Sequence, residues 1–228
     1  MSDPLLVQLQ SVTKVFRSTR VETYALSGVD LQVRRGEFVA VEGPSGSGKS
    51  TLLSLLALLD APTRGTYLLD GCDAWRLGYL SRLRLRNMNI GIVFQNFNLI
   101  PDLTIVENVE LPLRYRGVAA RERRREALEA LTHLGLSDRT SHYPGQLSGG
   151  QQQRAAVARA IVGKPSLLLA DEPTGNLDSR SGDAVLDLLC SLHHSGHTIC
   201  MATHNARYAA MADRRIALLD GSVCASAA

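Results

Sequence analysis

Apolar and polar residues alternate in two short stretches near the start of the chain, at residues 5–9 and 29–33. Alternation with a period of two residues predicts β-strands that bury one face. Further apolar stretches of strand length follow at residues 38–42, 66–71, 90–94, 167–170, 198–202 and 215–221. Those at residues 167–170 and 198–202 lack alternation, which is typical of strands buried on both faces of a parallel sheet. The pattern therefore predicts an N-terminal antiparallel β layer followed by a mostly parallel sheet.

Helical composition is concentrated in the middle of the chain. The predicted helices cover residues 52–59, 105–115, 121–134 and 151–162, with Gly and Pro between them. The last three follow one another with no strand between them, so residues from about 98 to 162 form an inserted α-helical subdomain in this prediction. Residues 1–97 and 163–228 then make up the catalytic core of a single α/β domain.

The composition is that of an ordinary soluble globular domain of 228 residues, 45% of them hydrophobic and 21% charged. The net charge of +3 is too small to indicate nucleic-acid binding, for which a clustered basic face is expected. Cys72, Cys190, Cys200 and Cys224 form no C-x-x-C pair, which favours free thiols in a reducing compartment. The chain shows no leader pattern and no apolar run near the ~20 residues of a membrane span. We therefore expect a cytoplasmic protein, whose membrane role would need a second polypeptide.

One segment carries most of the chemical information, and it lies between the predicted strand at residues 38–42 and the predicted helix at residues 52–59. It reads Gly43, Pro44, Ser45, Gly46, Ser47, Gly48, Lys49, Ser50 and Thr51, and it satisfies the pattern G-x-x-x-x-G-K-[ST]. The glycines let backbone N–H groups surround a polyphosphate, and Lys49 supplies positive charge for the β- and γ-phosphates. The Ser50 hydroxyl is predicted to bind Mg²⁺. A glycine-rich turn with a chance lysine is the alternative, but the flanking strand and helix favour a phosphate loop.

Four polar residues follow predicted strands, at the position where open parallel sheets bind their ligands. They are Gln95 after residues 90–94, Asp171 and Glu172 after residues 167–170, and His204 after residues 198–202. With a phosphate loop upstream, Asp171 is predicted to hold Mg²⁺ and Glu172 to polarise a water molecule. Gln95 is a candidate for binding Mg²⁺ or orienting water, and His204 is a candidate for donating to the γ-phosphate.

A second anion site is predicted where Ser148, Gly149 and Gly150 begin a helix. The free N–H groups, the hydroxyl and the helix dipole favour an anion there, but the segment carries no lysine and no metal-binding carboxylate. The site is therefore incomplete by itself. Either it binds some other anion, or it completes a nucleotide site on a second copy of the chain, and the residues alone leave both alternatives open.

Residues 147–154, LSGGQQQR, resemble the signature motif of ATP-binding-cassette (ABC) ATPases. Their position between the phosphate loop and LLLADEP is the order found in that family, and with Gln95 and His204 the resemblance covers essentially the whole chain. It implies the ABC nucleotide-binding fold and a head-to-tail dimer of two copies that encloses two ATP molecules. Each ATP would lie between the phosphate loop of one copy and the signature motif of the other.

The resemblance also implies roles for individual side chains. The residues that match the family's motifs are Phe16 for adenine stacking, Gln95 for sensing Mg²⁺ and the membrane partner, Ser148 and Gly150 for γ-phosphate contacts across the dimer, Glu172 as the general base, Asp178 as the D-loop residue that crosses the dimer, and His204 as the switch histidine. Taken alone, Phe16 is more typical of a core residue than of a ligand contact. The chain departs from the family at Asn205, where Asp is usual, and at Phe16, where Tyr is commoner; neither departure removes a catalytic group.

Three segments, at residues 59–67, 94–101 and 171–178, are most similar to the subgroup that serves macrolide exporters and lipoprotein-releasing complexes. The expected function is ATP hydrolysis that powers a separate membrane permease, for export or for lipoprotein or lipid extraction. That permease would hold the chain at the inner face of the cell membrane and dock around residues 95–101 and the following helical segment. The alternative is a non-transport ABC ATPase that signals to a cell-wall or division partner. A DNA-maintenance ATPase is disfavoured because no long coiled-coil insertion and no zinc pair are present, and no nucleic-acid partner is expected.

Overall fold

Two β-sheets are present in the computed structural model, which describes residues 4–17 and 21–224. The strands are β1 (Leu5–Arg17), β2 (Glu22–Arg34), β3 (Phe38–Glu42), β4 (Arg64–Leu69), β5 (Cys72–Asp73), β6 (Ile90–Val93), β7 (Leu167–Asp171), β8 (Thr198–Thr203), β9 (Arg214–Leu219) and β10 (Ser222–Cys224). One sheet has four strands in the order β2-β1-β4-β5, and the other has six in the order β10-β9-β3-β8-β7-β6.

Helices connect most of the strands of the larger sheet. They are α1 (Lys49–Leu56), α2 (Tyr79–Asn89), α3 (Ile105–Tyr115), α4 (Ala120–His133), α5 (Gly149–Ile161), α6 (Ser179–His194) and α7 (Ala206–Ala209). Helix α1 begins at Lys49 and ends before the predicted residues 57–59 because Leu58 adopts a left-handed conformation with a φ of 56°. Helix α6, which joins β7 to β8, was not predicted from the sequence.

The smaller sheet is the antiparallel β layer that the sequence predicts. Strand β1 pairs antiparallel with both β2 and β4. Both β1 and β2 are longer than predicted, and Phe16, expected to lie between strands, is part of β1. The register shifts after Leu9, and Ser11 has a φ of 47°, so β1 contains an irregularity that interrupts the apolar alternation without ending the strand.

The larger sheet is parallel from β9 through β3, β8 and β7 to β6, and only β10 runs antiparallel to its neighbour β9. Strand β3 is buried on both faces, as its continuous apolar run predicts. Its side chains Val39 and Val41 belong to one hydrophobic cluster, with α1 and the antiparallel layer. Phe38 and Ala40 belong to the other cluster, with α3, α4 and α5. The parallel sheet therefore separates two layers of the core.

Helices α3, α4 and α5 pack against one another, and α5 also packs on the edge strand β6. Thr104 and Glu107 form a capping box that fixes the start of α3. The hydrophobic cluster under these helices continues into the sheet through Val93 and Leu168. The division into a core and a helical subdomain at residues 98–162 stays a prediction. Within the described ranges, no helix has the length and apolarity needed to cross a membrane.

Candidate functional site

The predicted site residues follow neighbouring strands of the parallel sheet and meet at one edge. The phosphate-loop segment follows β3, Gln95 follows β6, Asp171 ends β7 just before Glu172, and His204 follows β8. Because β3, β8, β7 and β6 are adjacent and parallel, their carboxyl ends lie side by side. The structure thus brings these side chains together although they are spread over 43–204 in the sequence.

A cleft of about 710 Å³ lies at this edge. Its walls include most of residues 44–51 together with Gln95, Glu172 and His204. The antiparallel layer contributes Thr23, Tyr24 and Ala25, which the sequence analysis did not identify. Sequence alone offered no signal for these three, since only the fold brings β2 beside the phosphate-loop segment.

Two glycines of the loop are required by close contacts. A Cβ on Gly43 would lie 2.2 Å from the carbonyl oxygen of Leu218, and one on Gly48 would lie 2.4 Å from that of Ala25. Gly48 also has a φ of 104°, in the left-handed region, at the N-cap of α1. Any larger residue would push the loop away from β9 or β2, so the loop conformation depends on both positions.

Lys49 is held inside the loop, with a side chain only 7% exposed. Its Nζ donates hydrogen bonds to the carbonyl oxygens of Gly43 at 2.8 Å and Pro44 at 3.0 Å. The same Nζ lies 4.0 Å from Oε1 of Glu172. The ammonium group is therefore positioned between the loop backbone and a carboxylate, at the N-terminal end of α1, where the helix dipole also favours anions.

The Glu172 carboxylate is largely buried and has a partner on each side. Its Oε2 accepts a hydrogen bond from Nδ1 of His204 at 2.9 Å, while Oε1 faces Lys49. Glu172 has a φ of 44°, a conformation that costs a non-glycine residue about 1–3 kcal/mol. Its N–H donates to the carbonyl oxygen of Ala202, which ties this strained position to β8. Strain of this kind concentrates at functional sites.

Ser50 and Asp171 are in direct contact. The Ser50 hydroxyl donates a hydrogen bond to Oδ1 of Asp171 at 3.2 Å. Burial raises the pKa of Asp171, and the adjacent Glu172 charge raises it as well, whereas the bond from Ser50 and the Lys49 charge lower it. A hydroxyl and a carboxylate at this distance are the kinds of oxygen ligands that Mg²⁺ prefers.

Gln95 is bound to the segment that follows Glu172. Its Nε2 donates to Oδ1 of Asn176 at 3.2 Å, and Nδ2 of Asn176 donates back to the Gln95 carbonyl oxygen at 3.2 Å. Gly175 permits this packing, because a Cβ there would lie 2.8 Å from Nε2 of Gln95. The cleft wall at Gln95 is therefore coupled to the turn after β7.

Ser148, Gly149 and Gly150 lie elsewhere on the described surface. Ser148 is the N-cap of α5, and its hydroxyl accepts a hydrogen bond from the N–H of Gln151. None of the three is among the described residues that line the cleft containing Lys49. A Cβ on Gly149 would lie 3.2 Å from Leu177, so the signature turn packs against the segment after β7.

Asp178 is the N-cap of α6, and its two carboxylate oxygens accept from the N–H and the hydroxyl of Ser181 at 2.9 and 2.8 Å. The backbone hydrogen bond from Ser181 lowers the pKa of Asp178, and its hydroxyl lowers it further. Like Ser148, Asp178 is not among the described lining residues of the cleft.

Phe16 is next to a residue of the cleft wall in the antiparallel layer. It pairs across the antiparallel layer with Thr23, which lines the cleft, and its side chain is exposed. The ammonium of Lys14 lies 4.9 Å from the centroid of the Phe16 ring. Phe16 is thus a surface aromatic and not a core residue.

Residues 26–175 match the protein family described as ABC transporter. The chain belongs to the ABC transporter family. Both the family and the fold expected from the sequence are therefore confirmed. The predicted mixed α/β architecture, with an antiparallel layer and a mostly parallel sheet, is the architecture of an ABC cassette.

Relatives of this ABC transporter chain fall into two groups by length. It is 48% identical over 223 residues to the macrolide export ATP-binding/permease protein MacB of Brucella melitensis, covering 98% of this chain and 34% of MacB. It thus spans about a third of the macrolide-export relatives. It is also 46% identical to the uncharacterized ABC transporter ATP-binding protein YvrO of Bacillus subtilis, covering 96% of this chain and 95% of YvrO. It is 50% identical to an uncharacterized ABC transporter ATP-binding protein of Thermotoga maritima, covering 88% of this chain and 86% of that protein.

Solved structures give the same result. This ABC transporter chain matches the dimeric structure of MJ0796, a bacterial ABC transporter cassette, with a TM-score of 0.88 and 44% identity over 95% of this chain and 96% of that chain. A second structure of MJ0796, a post-hydrolysis state bound to ADP and Pi, matches with the same TM-score of 0.88.

Proposed function

We propose that the chain is the ATP-binding and ATP-hydrolysing subunit of a membrane transporter, active as a dimer of two copies. One observation carries this proposal: the phosphate-loop lysine, the Ser50–Asp171 pair and the Glu172–His204 pair all meet at the same cleft. Each group is of the type that phosphoryl transfer from a nucleoside triphosphate to water requires.

The phosphate loop and the metal ligands bind the nucleotide and Mg²⁺. The backbone N–H groups of residues 43–51 and the Lys49 ammonium bind the β- and γ-phosphates. Ser50 and Asp171 hold Mg²⁺, with Gln95 as a further oxygen ligand from the neighbouring strand. When bound, Mg²⁺ neutralises phosphate charge. Phe16 stacks on the adenine.

Glu172 is the general base for hydrolysis. Its carboxylate accepts a proton from the attacking water as the new oxygen–phosphorus bond forms and the bond to ADP breaks. The strained backbone at Glu172 and the hydrogen bond from His204 hold this carboxylate in one orientation. Its Oε1, which lies 4.0 Å from the Lys49 ammonium, is the oxygen that accepts the proton from water. The Lys49 ammonium stabilises the negative charge of the γ-phosphate, and the His204 side chain donates a hydrogen bond to it.

The second copy would complete the site. Ser148, Gly149 and Gly150 present N–H groups and a hydroxyl at the start of α5 but lie outside the cleft of their own chain. In a head-to-tail dimer, they would contact the γ-phosphate held by the partner copy, with Asp178 crossing the interface beside them. The dimeric MJ0796 cassette, 44% identical, supports this arrangement.

A Glu172→Gln substitution tests these assignments. The amide cannot accept the proton from water, so phosphate release should fall to background while ATP binding is retained. The substituted chain should also accumulate as a dimer with ATP, measured by light scattering with size-exclusion chromatography. Robust residual hydrolysis would contradict the role of Glu172, and a chain that stays monomeric with bound ATP would contradict the dimer.

A groove of about 660 Å³ supports docking of a permease. It lies between α2, β6 and the C-terminal half of α3, beside the Gln95 segment, and its apolar lining includes Leu83, Leu111 and Tyr115. Four arginines and no carboxylate are among its described lining residues. The side chains of Arg84 and Arg86 make no ion pair within the described part of the chain. We therefore expect the docking segment of the permease to be apolar with acidic side chains.

The relatives named macrolide export ATP-binding/permease proteins support a permease partner, because this chain spans 34% of such a protein. The proposed location is accordingly the inner face of the cell membrane, through that partner. Macrolide-type export and lipoprotein or lipid extraction are the transport classes that the relatives and the resemblance favour.

Affinity capture tests the partner. The Glu172→Gln chain is recovered from detergent-solubilised membranes with Mg-ATP, and co-purifying proteins are identified by mass spectrometry. A permease should be captured, and Arg84→Glu should release it while the exposed Arg121→Glu on α4 should not. Capture of a cell-wall-control protein instead would contradict the transport role and favour signalling.

A further inference from the structure

Gln153 is a completely buried glutamine in the first half of α5, with an exposure of 0%. Its Nε2 donates to the carbonyl oxygen of Pro173 at 2.6 Å and to that of Phe94 at 3.4 Å. Pro173 directly follows Glu172, and Phe94 directly precedes Gln95. A single side-chain amide therefore joins α5 to the backbone beside two residues of the cleft.

The contact with Pro173 acts on a strained segment. The left-handed φ of 44° at Glu172 persists only when the surrounding structure holds it in place. The N–H of Glu172 is bound by the carbonyl of Ala202 on one side, and the carbonyl of Pro173 is bound by Gln153 on the other. The N–H of Gly175 also donates to the carbonyl oxygen of Glu172. Removing the bond to Gln153 would release one of these three backbone anchors.

The contact with Phe94 acts at the end of the neighbouring strand β6. Gln95 is already tied to Asn176 by reciprocal amide hydrogen bonds. Gln153 adds a weaker bond, at 3.4 Å, from α5 to the residue just before Gln95. The segments containing Gln95 and Glu172 are thus held both to each other and to α5.

Stability alone does not account for a glutamine here. Among the described residues, no donor lies within hydrogen-bond distance of its Oε1, although the atom is buried. A buried acceptor without a donor destabilises a fold, whereas an apolar side chain of similar volume would avoid this loss. What the glutamine provides, and an apolar side chain would not, is an N–H donor between the carbonyls of Phe94 and Pro173.

We propose that Gln153 is a positioning residue that sets the orientation of Glu172 and Gln95 from the signature helix. Ser148, at the start of α5, lies within two turns of Gln153 on the same rigid element. A displacement of that helix start therefore reaches the backbone next to both cleft residues. This inference rests on the proposed ATPase function and assigns Gln153 no contact with nucleotide.

The test compares steady-state ATP hydrolysis by the full chain and by Gln153→Met, which preserves volume but removes the amide. The kcat of Gln153→Met should fall roughly 10- to 100-fold, because small misplacements of a catalytic group have effects of this size. The KM for ATP should stay within about twofold, since the phosphate loop is untouched.

Asn108→Leu provides the matched control. Asn108 is also a completely buried amide, but it donates to the carbonyls of Ile100, Leu103 and Thr104 within the helical region. This control should lower the melting temperature and keep kcat. A kcat of Gln153→Met within about twofold of the unmodified chain, or a loss equal to that of Asn108→Leu, would overturn the inference. Absence of hydrolysis by the unmodified chain would overturn the proposed function as well.

Discussion

The Nδ1 atom of His204 donates a hydrogen bond of 2.9 Å to Oε2 of Glu172. The two residues are 32 positions apart in the sequence and follow neighbouring parallel strands. The side chain of Glu172 is 15% exposed, whereas that of His204 is 67% exposed. The histidine is therefore open to a ligand in the cleft, whereas the carboxylate is enclosed by protein groups.

His204→Ala removes this hydrogen bond and should lower the kcat for ATP hydrolysis by about 10²-fold or more, within the range for groups that assist proton transfer. The dissociation constant for ATP should change little, because the loop and Lys49 carry most of the phosphate contacts. His204→Gln keeps an N–H donor and should retain part of the activity. Stopped-flow phosphate release measures kcat, and equal activity of His204→Ala and the unmodified chain would show that the hydrogen bond is dispensable.

Phe16→Ala should weaken ATP binding. Stacking of a base on an aromatic ring contributes about 1–3 kcal/mol, which corresponds to roughly 5- to 150-fold in the dissociation constant. Tyr24→Ala is the matched comparison, since Tyr24 is also an exposed aromatic and lines the same cleft. Titration with a fluorescent ATP analogue measures both. A larger loss of ATP affinity for Tyr24→Ala than for Phe16→Ala would indicate that the adenine stacks on Tyr24. It would contradict the role of Phe16 inferred from the family resemblance.

Asp171→Asn should raise thermal stability at neutral pH while abolishing Mg²⁺-dependent hydrolysis. The pKa of Asp171 is raised in the folded chain, mainly by burial, so folding favours its protonated form. The associated stability is present below the unfolded-state pKa and is lost as pH rises through the raised folded-state pKa. The asparagine avoids this loss. Without Mg²⁺ and nucleotide, the variant should melt at a higher temperature than the unmodified chain at pH 7.

The gain should shrink as the pH is lowered toward about 4, the ordinary range of an aspartate. Asp102→Asn, on an exposed turn, controls for the loss of one negative charge. Scanning calorimetry across this pH range makes the comparison. A gain that is independent of pH, or a lower melting temperature at pH 7, would show that the buried charge does not destabilise the fold.

Arg116→Met should destabilise the junction between α2, α3 and α5. The Arg116 guanidinium donates to the carbonyl oxygens of Asn87, Met88 and Gly163, so one side chain binds the C-terminal ends of two other helices. Burial lowers the pKa of Arg116, yet these carbonyls satisfy its donors. Its removal should decrease the free energy of unfolding by about 2–4 kcal/mol, measured by urea denaturation.

Arg125→Met on α4 is the control for Arg116→Met, because Arg125 is exposed and its ion pairs with Glu122 and Glu129 lie on the surface. It should leave the urea midpoint almost unchanged. Gly163→Ala offers a second route to the same effect, since its Cβ would lie 2.4 Å from Nη2 of Arg116. Similar urea midpoints for Arg116→Met and Arg125→Met would contradict the structural role of Arg116.

Local sequence determined the elements whose chemistry is contiguous along the chain. The phosphate loop could be predicted because Gly43, Lys49 and Ser50 lie in one turn between a strand and a helix. The start of α5 at Ser148 could be predicted because capping depends on neighbouring residues. Helix α3 was predicted with its observed ends, because its cap and apolar spacing are both local.

Tertiary structure decided the features that depend on distant residues. The full length of β1 was not predicted, because pairing with β2 and β4 maintains the strand where its alternation is interrupted. Tyr24 and Gln153 were missed as site residues for the same reason: neither has a local pattern, and only sheet order and helix packing place them beside the cleft.

The residue types at the site were therefore readable from the sequence, whereas their mutual positions were not. Asp171, Glu172, Gln95 and His204 could each be predicted from a strand end, since parallel strands end at a common edge. The contacts of Glu172 with His204 and Lys49 required the order β3-β8-β7, in which the strands before these residues are neighbours. Motifs are contiguous and hence local, but the geometry of a site comes from packing, in which every strand constrains its neighbours.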